Sequence, residues 1–216
     1  MKIVLLGAGG HGREVGDIIR ECRLRDDFCE LVGYIDDDPG KHGGHIDGIP
    51  VLGGFAWFDS VDKDEIFVIC AVGTPQAVKG LSERACALGL KFTRAVSPYS
   101  SVSSAAHIGN GVNVFANAVI NAGVTIGDHT SVNVAATVSH DSVVGDYCSI
   151  NPGAHIAGNV SIGTECYIGM GANVIQNISI GSGSTVGAGA VVVRDVPPQV
   201  TVVGVPARLV QEKGSF

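Results

Sequence analysis

The sequence predicts an α/β domain followed by an all-β parallel β-helix, and three observations carry that prediction. The first is a period of six. From Val102 to Val192 an aliphatic residue recurs at every sixth position, as Val102, Ile108, Val114, Ile120 and onward, with no register break. The second is a companion column. The residue four places after each aliphatic is small or aliphatic, as in Val112, Ala118, Thr130, Ala136, Cys148 and Cys166. Two inward positions per hexad, separated by a turn, make one short flat side. Three such sides close a coil of about 18 residues, the pattern of a parallel β-helix. The third is that the period is absent before Pro98, where strand-like and helix-like stretches alternate instead.

That contrast divides the chain into residues 1–97 and 98–216. KIVLLG at the start reads as a short buried strand, and residues 11–24 as a helix with Val15, Ile18, Ile19 and Cys22 on one face. LVGYIDDD (31–38) reads as a second strand ending in acids, and DEIFVICAVG (64–73) as a third. A second helix is expected from Pro75 to Leu88. This order makes a small α/β domain with a parallel sheet. KFTRAVSP (91–98) leads into the repeat. After Val192 the period stops, and Pro197, Pro198 and Pro206 exclude regular helix until a short tail, ARLVQEK.

Composition narrows the partners. With 31 glycines and one tryptophan in 216 residues, the chain suits a turn-rich solenoid built on Val, Ile and Ala. A formal net charge of −7 with no basic run argues against nucleic acid, so anionic ligands need local groups such as backbone N–H. MKIVLLGAGGHG is too short in its apolar run for a signal peptide, and no stretch is long enough to span a bilayer. The expectation is a cytoplasmic protein with reduced thiols and no membrane partner. Among the cysteines, Cys148 and Cys166 are one coil apart. They are expected to stack inward as free, buried thiols rather than as a disulfide. No cysteine or histidine spacing suggests a metal.

The first strand runs into Gly7-Ala8-Gly9-Gly10-His11-Gly12, a G-x-G-x-x-G pattern at a strand-to-helix turn. Glycines there let backbone approach a diphosphate, and the following helix N-terminus favours negative charge. Asp36, Asp37 and Asp38 close the second strand, where a dinucleotide fold places its ribose-binding acid. The domain is Rossmann-like but carries only one mononucleotide-binding half. A nucleoside diphosphate, such as a nucleotide-sugar, therefore fits better than NAD. The competing reading is a purely structural tight turn, against which His11 weighs. In the repeat, His140 follows Val138 by two and faces outward with Asp141 beside it. By position alone His107, His129 and His155 have the same claim to activity, and each also reads as a solvated or interface histidine.

The glycine–His–glycine loop, the hexapeptide run and the Val-Gly-Val-Pro-Ala-Arg ending (203–208) together resemble the bacterial nucleotide-sugar acetyltransferases. That family includes the UDP-4-amino-sugar N-acetyltransferases of the bacillosamine pathway and the sialic-acid O-acetyltransferase-like proteins. The resemblance implies a left-handed β-helix, a homotrimer, and acetyl-CoA lying in a cleft between neighbouring β-helices. It implies that His140 is the catalytic base, paired with Asp141, and that Asn133 contacts the acceptor amine. It implies that Gly10, His11, Gly12, Asp36, Asp37 and Gly73 hold the nucleotide-sugar. Gly158, Met170 and Ala188 match acetyl-CoA contacts made mostly through backbone. The family's second histidine, nine residues after the base, is Ser149 here, which can still donate one hydrogen bond toward the acetyl group. The reaction implied is direct N-acetylation of a nucleotide-linked amino sugar. O-acetylation of a sugar hydroxyl is the neighbouring alternative, and a non-catalytic nucleotide-sugar-binding trimer the alternative from another class.

Overall fold

The computed structural model describes residues 1–25 and 29–212. Strand β1 (Lys2–Leu6) is the centre of a sheet whose apolar run is buried on both faces. It runs parallel to β2 (Glu30–Ile35) on one side and to β5 (Ile66–Cys70) on the other. Helix α1 (Gly10–Arg25) connects β1 to β2, and its Val15, Ile18 and Ile19 pack against the sheet. Helix α2 (Pro75–Ala87) follows β5, with Pro75 at its first turn, where a missing N–H costs nothing. The full strand order is β3-β4-β2-β1-β5-β6, where β3 is His45–Ile46, β4 is Ile49–Gly53 and β6 is Lys91–Phe92. The sheet is therefore wider than the three expected strands. It is also not wholly parallel, since β3 and β4 form an antiparallel hairpin.

The solenoid begins with Ala95–Val96 (β7), which pairs with Asn113–Val114 one coil on. Two-residue strands then recur every six residues, from β8 (Ser101–Val102) to β23 (Val191–Val192). They stack into three parallel sheets, the sides of a triangular prism. The first face carries Ala95, Asn113, Ser131, Ser149, Tyr167 and Thr185 as outward residues. The second carries Ser101, Val119, Thr137, His155, Asn173 and Val191. The third carries His107, Thr125, Val143, Ser161 and Ser179.

The aliphatic column and its companion fill the prism and are almost wholly buried, as the period predicts. At each corner the chain turns through a left-handed residue. Positive φ recurs every six residues from Gly111 to Gly189, on Gly, Asn and a few others. The inward polar residues serve the turns. Thr130 Oγ1 donates to the carbonyl of Gly145 (2.8 Å) and Ser184 Oγ to that of Pro197 (2.7 Å). Cys148 and Cys166 occupy the same column and donate likewise, to Gly163 (3.0 Å) and Gly181 (3.2 Å). Both are buried thiols outside any disulfide, as expected.

The tail differs from expectation. Residues 208–212 form a strand rather than a helical turn: β25 (Arg208–Glu212) pairs antiparallel with β24 (Val200–Val203), which continues the first face. The open end of a solenoid exposes unpaired N–H and C=O groups, and on the first face this hairpin pairs with that edge. No helix among the described residues is long and apolar enough to cross a membrane.

The α/β unit sits on the first face. Asn113 Nδ2 donates to the Cys70 carbonyl (3.0 Å) and Ser149 Oγ to that of Gly73 (3.2 Å). At the edge between the third and first faces, Phe92 meets His129 edge-on at 4.4 Å, and His129 stacks on Tyr147 at 5.4 Å. Lys79 of α2 pairs with Glu165 on the same edge (2.7 Å). At the edge between the first and second faces, His11 packs against Phe115 with centroids 5.3 Å apart.

Candidate active site

The four glycines of the loop after β1 divide into two pairs. A Cβ on Gly7, whose φ is +118°, would lie 2.6 Å from a Val72 methyl and 2.8 Å from the Ala71 carbonyl oxygen. A Cβ on Gly12 would run into the Gly7 carbonyl. These two let strand and helix approach. Around Gly9 and Gly10 there is open space within 4 Å of where a Cβ would stand. Gly10 opens α1, so the first-turn N–H groups, which have no partner inside the helix, belong to this loop. This is the arrangement expected for a diphosphate site.

The acids after β2 have separate duties. Asp36 accepts from Ala8 N (2.8 Å), Lys41 Nζ (2.9 Å) and Asp38 N (3.0 Å). Burial alone would raise its pKa, but the bonds from Lys41 and the two N–H groups outweigh that and hold the carboxyl below the usual range. Its carboxylate thus shapes the glycine loop. Asp37 is exposed and takes a forked bond from Arg84, at 2.5 and 3.2 Å, which lowers its pKa. The Arg84 guanidinium lies 4.0 Å over the Phe55 ring. Gly7, Asp37, Phe55, Val72, Leu81 and Arg84 are among the residues lining a cavity of ≈ 390 Å³ beside the loop.

His11 is turned toward the solenoid rather than along the loop. Its ring rests on Phe115, Nδ1 stands 3.6 Å from Glu14, and Nε2 is buried without a hydrogen-bond partner. Burial lowers its pKa. Asn133 is buried on the edge between the first and second faces, with Oδ1 accepting from Val134 N (2.7 Å). Met170 and Ala188 occupy the same edge two and three coils on, in the turns that follow Tyr167–Ile168 and Thr185–Val186. Ser149 and Gly73 meet at the seam between the α/β unit and the first face.

His140 lies elsewhere. It stands on the turn after Thr137–Val138, at the edge between the second and third faces and opposite the face that carries the α/β unit. Its Nδ1 is 2.9 Å from Asp141 Oδ2, and both side chains are more than half exposed. Glycines one coil away make room for the pair. A Cβ on Gly158 would lie 2.6 Å from His140 Cε1 and 2.7 Å from Nε2, and one on Gly123 would lie 2.5 Å from Asp141 Oδ1. Gly158, expected to contact acetyl-CoA, is therefore the floor under the imidazole. Sequence reading passed over Gly123. The signal was available, since each of these glycines is 18 residues from the residue it seats.

The other solenoid histidines separate by environment. His107 is exposed on the third face. His155 is exposed on the second, 3.0 Å from Thr137 Oγ1. His129 is 7% exposed between Phe92 and Tyr147, and burial lowers its pKa. It belongs to the domain seam.

A family model described as the PglD N-terminal domain matches residues 2–85, and one for the bacterial transferase hexapeptide (six repeats) matches residues 141–176. No curated protein matches the chain. Among solved structures, the acetyltransferase domain of PglB from Neisseria gonorrhoeae is 37% identical, with a TM-score of 0.88, covering 97% of this chain and 99% of that one. The same domain has also been solved in complex with acetyl coenzyme A. A histidine-to-alanine mutant of GDP-perosamine N-acetyl transferase from Caulobacter crescentus, in complex with CoA and GDP-perosamine, is 33% identical with a TM-score of 0.90. It covers 98% of this chain and 97% of its own. WeeI from Acinetobacter baumannii is 29% identical with a TM-score of 0.86, covering 97% of this chain and 100% of its own.

Proposed function

The chain belongs to the nucleotide-sugar acetyltransferases of the hexapeptide-repeat family, and we propose that it transfers acetyl from acetyl-CoA to the amine of a nucleotide-linked amino sugar. The observation that carries the reading is the His140–Asp141 pair, seated on Gly158 at an exposed edge of the solenoid. With Nδ1–H donating to Asp141, the lone pair of His140 is on Nε2. His140 Nε2 takes the amine proton as the N–C bond forms to the thioester carbonyl carbon. It returns that proton to the CoA sulfur as the C–S bond breaks. Transfer is direct, without an acyl-enzyme. Burial pushes the Cys70 thiol up to about 12, and Cys148 is raised by its hydrogen bond with Cys166 and by burial, so neither is a nucleophile.

The glycine loop holds the diphosphate on its open Gly9–Gly10 side, and Asn133 contacts the acceptor amine. In one chain the loop lies at the edge between the first and second faces and His140 at the edge between the second and third, with the width of the second face between them. A homotrimer resolves this. With second faces turned to a three-fold axis, the first–second edge of one copy, carrying Asn133, Met170 and Ala188, runs beside the second–third edge of its neighbour, carrying His140. Acetyl-CoA occupies that cleft, with Ser149 close to the seam. The steps proposed use no metal, and we assign the reaction to the cytoplasm.

The test is product identification. The chain is mixed with acetyl-CoA and UDP-, GDP- or dTDP-linked amino sugars, or with hydroxyl analogues of each, and both CoA release and the new amide are measured. The reading expects an amide from at least one amino sugar and far slower reaction of its hydroxyl analogue. Ester formation alone, or no transfer to any member, overturns it.

A further inference from the structure

The α/β unit carries a second cavity, of ≈ 310 Å³, at the N-terminal ends of β1, β2 and β5. Ligands of open α/β sheets bind beyond the other ends of the strands, where the glycine loop lies, so this cavity stands apart from the proposed reaction. Its floor is apolar. Ile66 is buried, and Val32, Val61 and Trp57 are half-buried against the core beneath. Val32 is aimed there by a slip in register. Ile3 pairs with Leu31 and Val4 with Gly33, which leaves Val32 as the extra residue of a bulge. Trp57, the chain's one tryptophan, sits on a short 3-10 helix (Phe55–Ser60), edge-on to Phe58 with ring centroids 5.4 Å apart.

The rim is acidic. Lys2 bonds Glu65 at 2.8 Å, and Glu65, then Glu30 and Asp62, hold its pKa up. Among the lining residues three carboxylates therefore share one ammonium. Glu30 and Asp62 are exposed, and neither has an ion pair of its own among the described residues. An aromatic floor under an acidic rim suits a guanidinium, whose flat face lies on an indole while its N–H groups reach carboxylates. A phosphate or carboxylate would be repelled from the same place. We propose that this cavity docks a basic segment of a partner protein, with an arginine side chain over Trp57 and its guanidinium reaching Glu30 and Asp62. The chain's net charge of −7 also favours the approach of such a segment.

Because Trp57 is the only tryptophan, its emission reports on the cavity directly. The full chain is titrated with the peptide acetyl-Gly-Arg-Leu-Arg-Gly-amide and with its glutamate counterpart, acetyl-Gly-Glu-Leu-Glu-Gly-amide. The arginine peptide is expected to change Trp57 emission saturably, and the glutamate peptide to leave it unchanged. Replacing both free acids, as Glu30→Gln with Asp62→Asn, alters exposed side chains only. It is expected to weaken arginine-peptide binding roughly 3- to 25-fold, the worth of two exposed ion pairs, with acetyl transfer at the wild-type rate. No saturable response to the arginine peptide, equal binding of the glutamate peptide, or an affinity that the double variant leaves intact overturns the proposal. None of these outcomes bears on the acetyltransferase reading, which uses neither acid.

Discussion

At the residue scale, the proposed base, His140, is positioned by the glycines around it. A methyl group on Gly158 would stand 2.6 Å from the imidazole, closer than real contacts allow, so the ring must move. Gly158→Ala is therefore expected to lower kcat at least tenfold, with a melting temperature near wild type, because displaced proton-transfer geometry costs rate before it costs fold. His140→Ala is expected to lower kcat by roughly 10²–10⁴-fold with little change in either KM, the usual worth of a positioned general base. His107→Ala, exposed on the third face, should stay near wild type. Steady-state kinetics on the three variants decides; an active His140→Ala enzyme would misplace the site. His140 and Asp141 were legible as a pair, but their prominence among the solenoid histidines came from family resemblance. The glycines that seat them were not read as seats: Gly158 was singled out only through the resemblance and Gly123 not at all, although each lies 18 residues from its partner.

At the scale of elements, the corner between the third and first faces does two jobs. Inside, Thr130, Cys148, Cys166 and Ser184 donate to turn carbonyls one coil on. A thiol there acts as a hydroxyl would. Cys148→Ala is expected to cost on the order of 1 kcal/mol in denaturant unfolding and Cys148→Ser less, with turnover intact in both. Loss of turnover in folded Cys148→Ala protein would instead indicate a thiol nucleophile. Outside, the left-handed residues of the same corner, His129, Tyr147 and Glu165, dock the α/β unit through Phe92 and Lys79.

His129 gives that seam a pH dependence of known sign. Its folded pKa is depressed by burial, so below the ordinary value of about 6.5 the unfolded chain binds the proton first. Its contribution is present at neutral pH and is lost as pH falls from about 6.5 toward the folded value. His129→Asn, which tolerates positive φ, is expected to be less stable at pH 7 but to lose less stability between pH 7 and 5. Parallel stability curves for the two proteins would contradict a neutral, buried His129. None of this was legible, because only the docked α/β unit buries the residue. The short strands β3, β4 and β6 were missed for a related reason. β3 and β6 have two residues each, too few to show a period, and Pro50 interrupts the short run of β4. The tail becomes a strand because the last coil needs covering, a demand its own residues do not display.

At the scale of the whole molecule, the solenoid was legible almost residue by residue, since each hexad announces two inward positions. How the two halves meet was not, and that packing decides where the reaction occurs. The α/β unit covers the first face while His140 stands on the opposite edge, and the proposed trimer has one copy hold the sugar nucleotide while its neighbour supplies the base. Gly10→Val is expected to block the proposed diphosphate site, and its first side-chain carbon meets nothing within 4 Å. His140→Ala removes the base. Each variant alone should be nearly inactive. Co-refolded in equal amounts, they should form mixed trimers in which about a quarter of the sites combine an intact loop with an intact histidine. The measurement is the acetyl-transfer rate of that mixture against each parent, with subunit exchange verified by mass. Recovery toward a quarter of the wild-type rate is the predicted result. Mixed trimers no more active than their parents would contradict a site shared between copies.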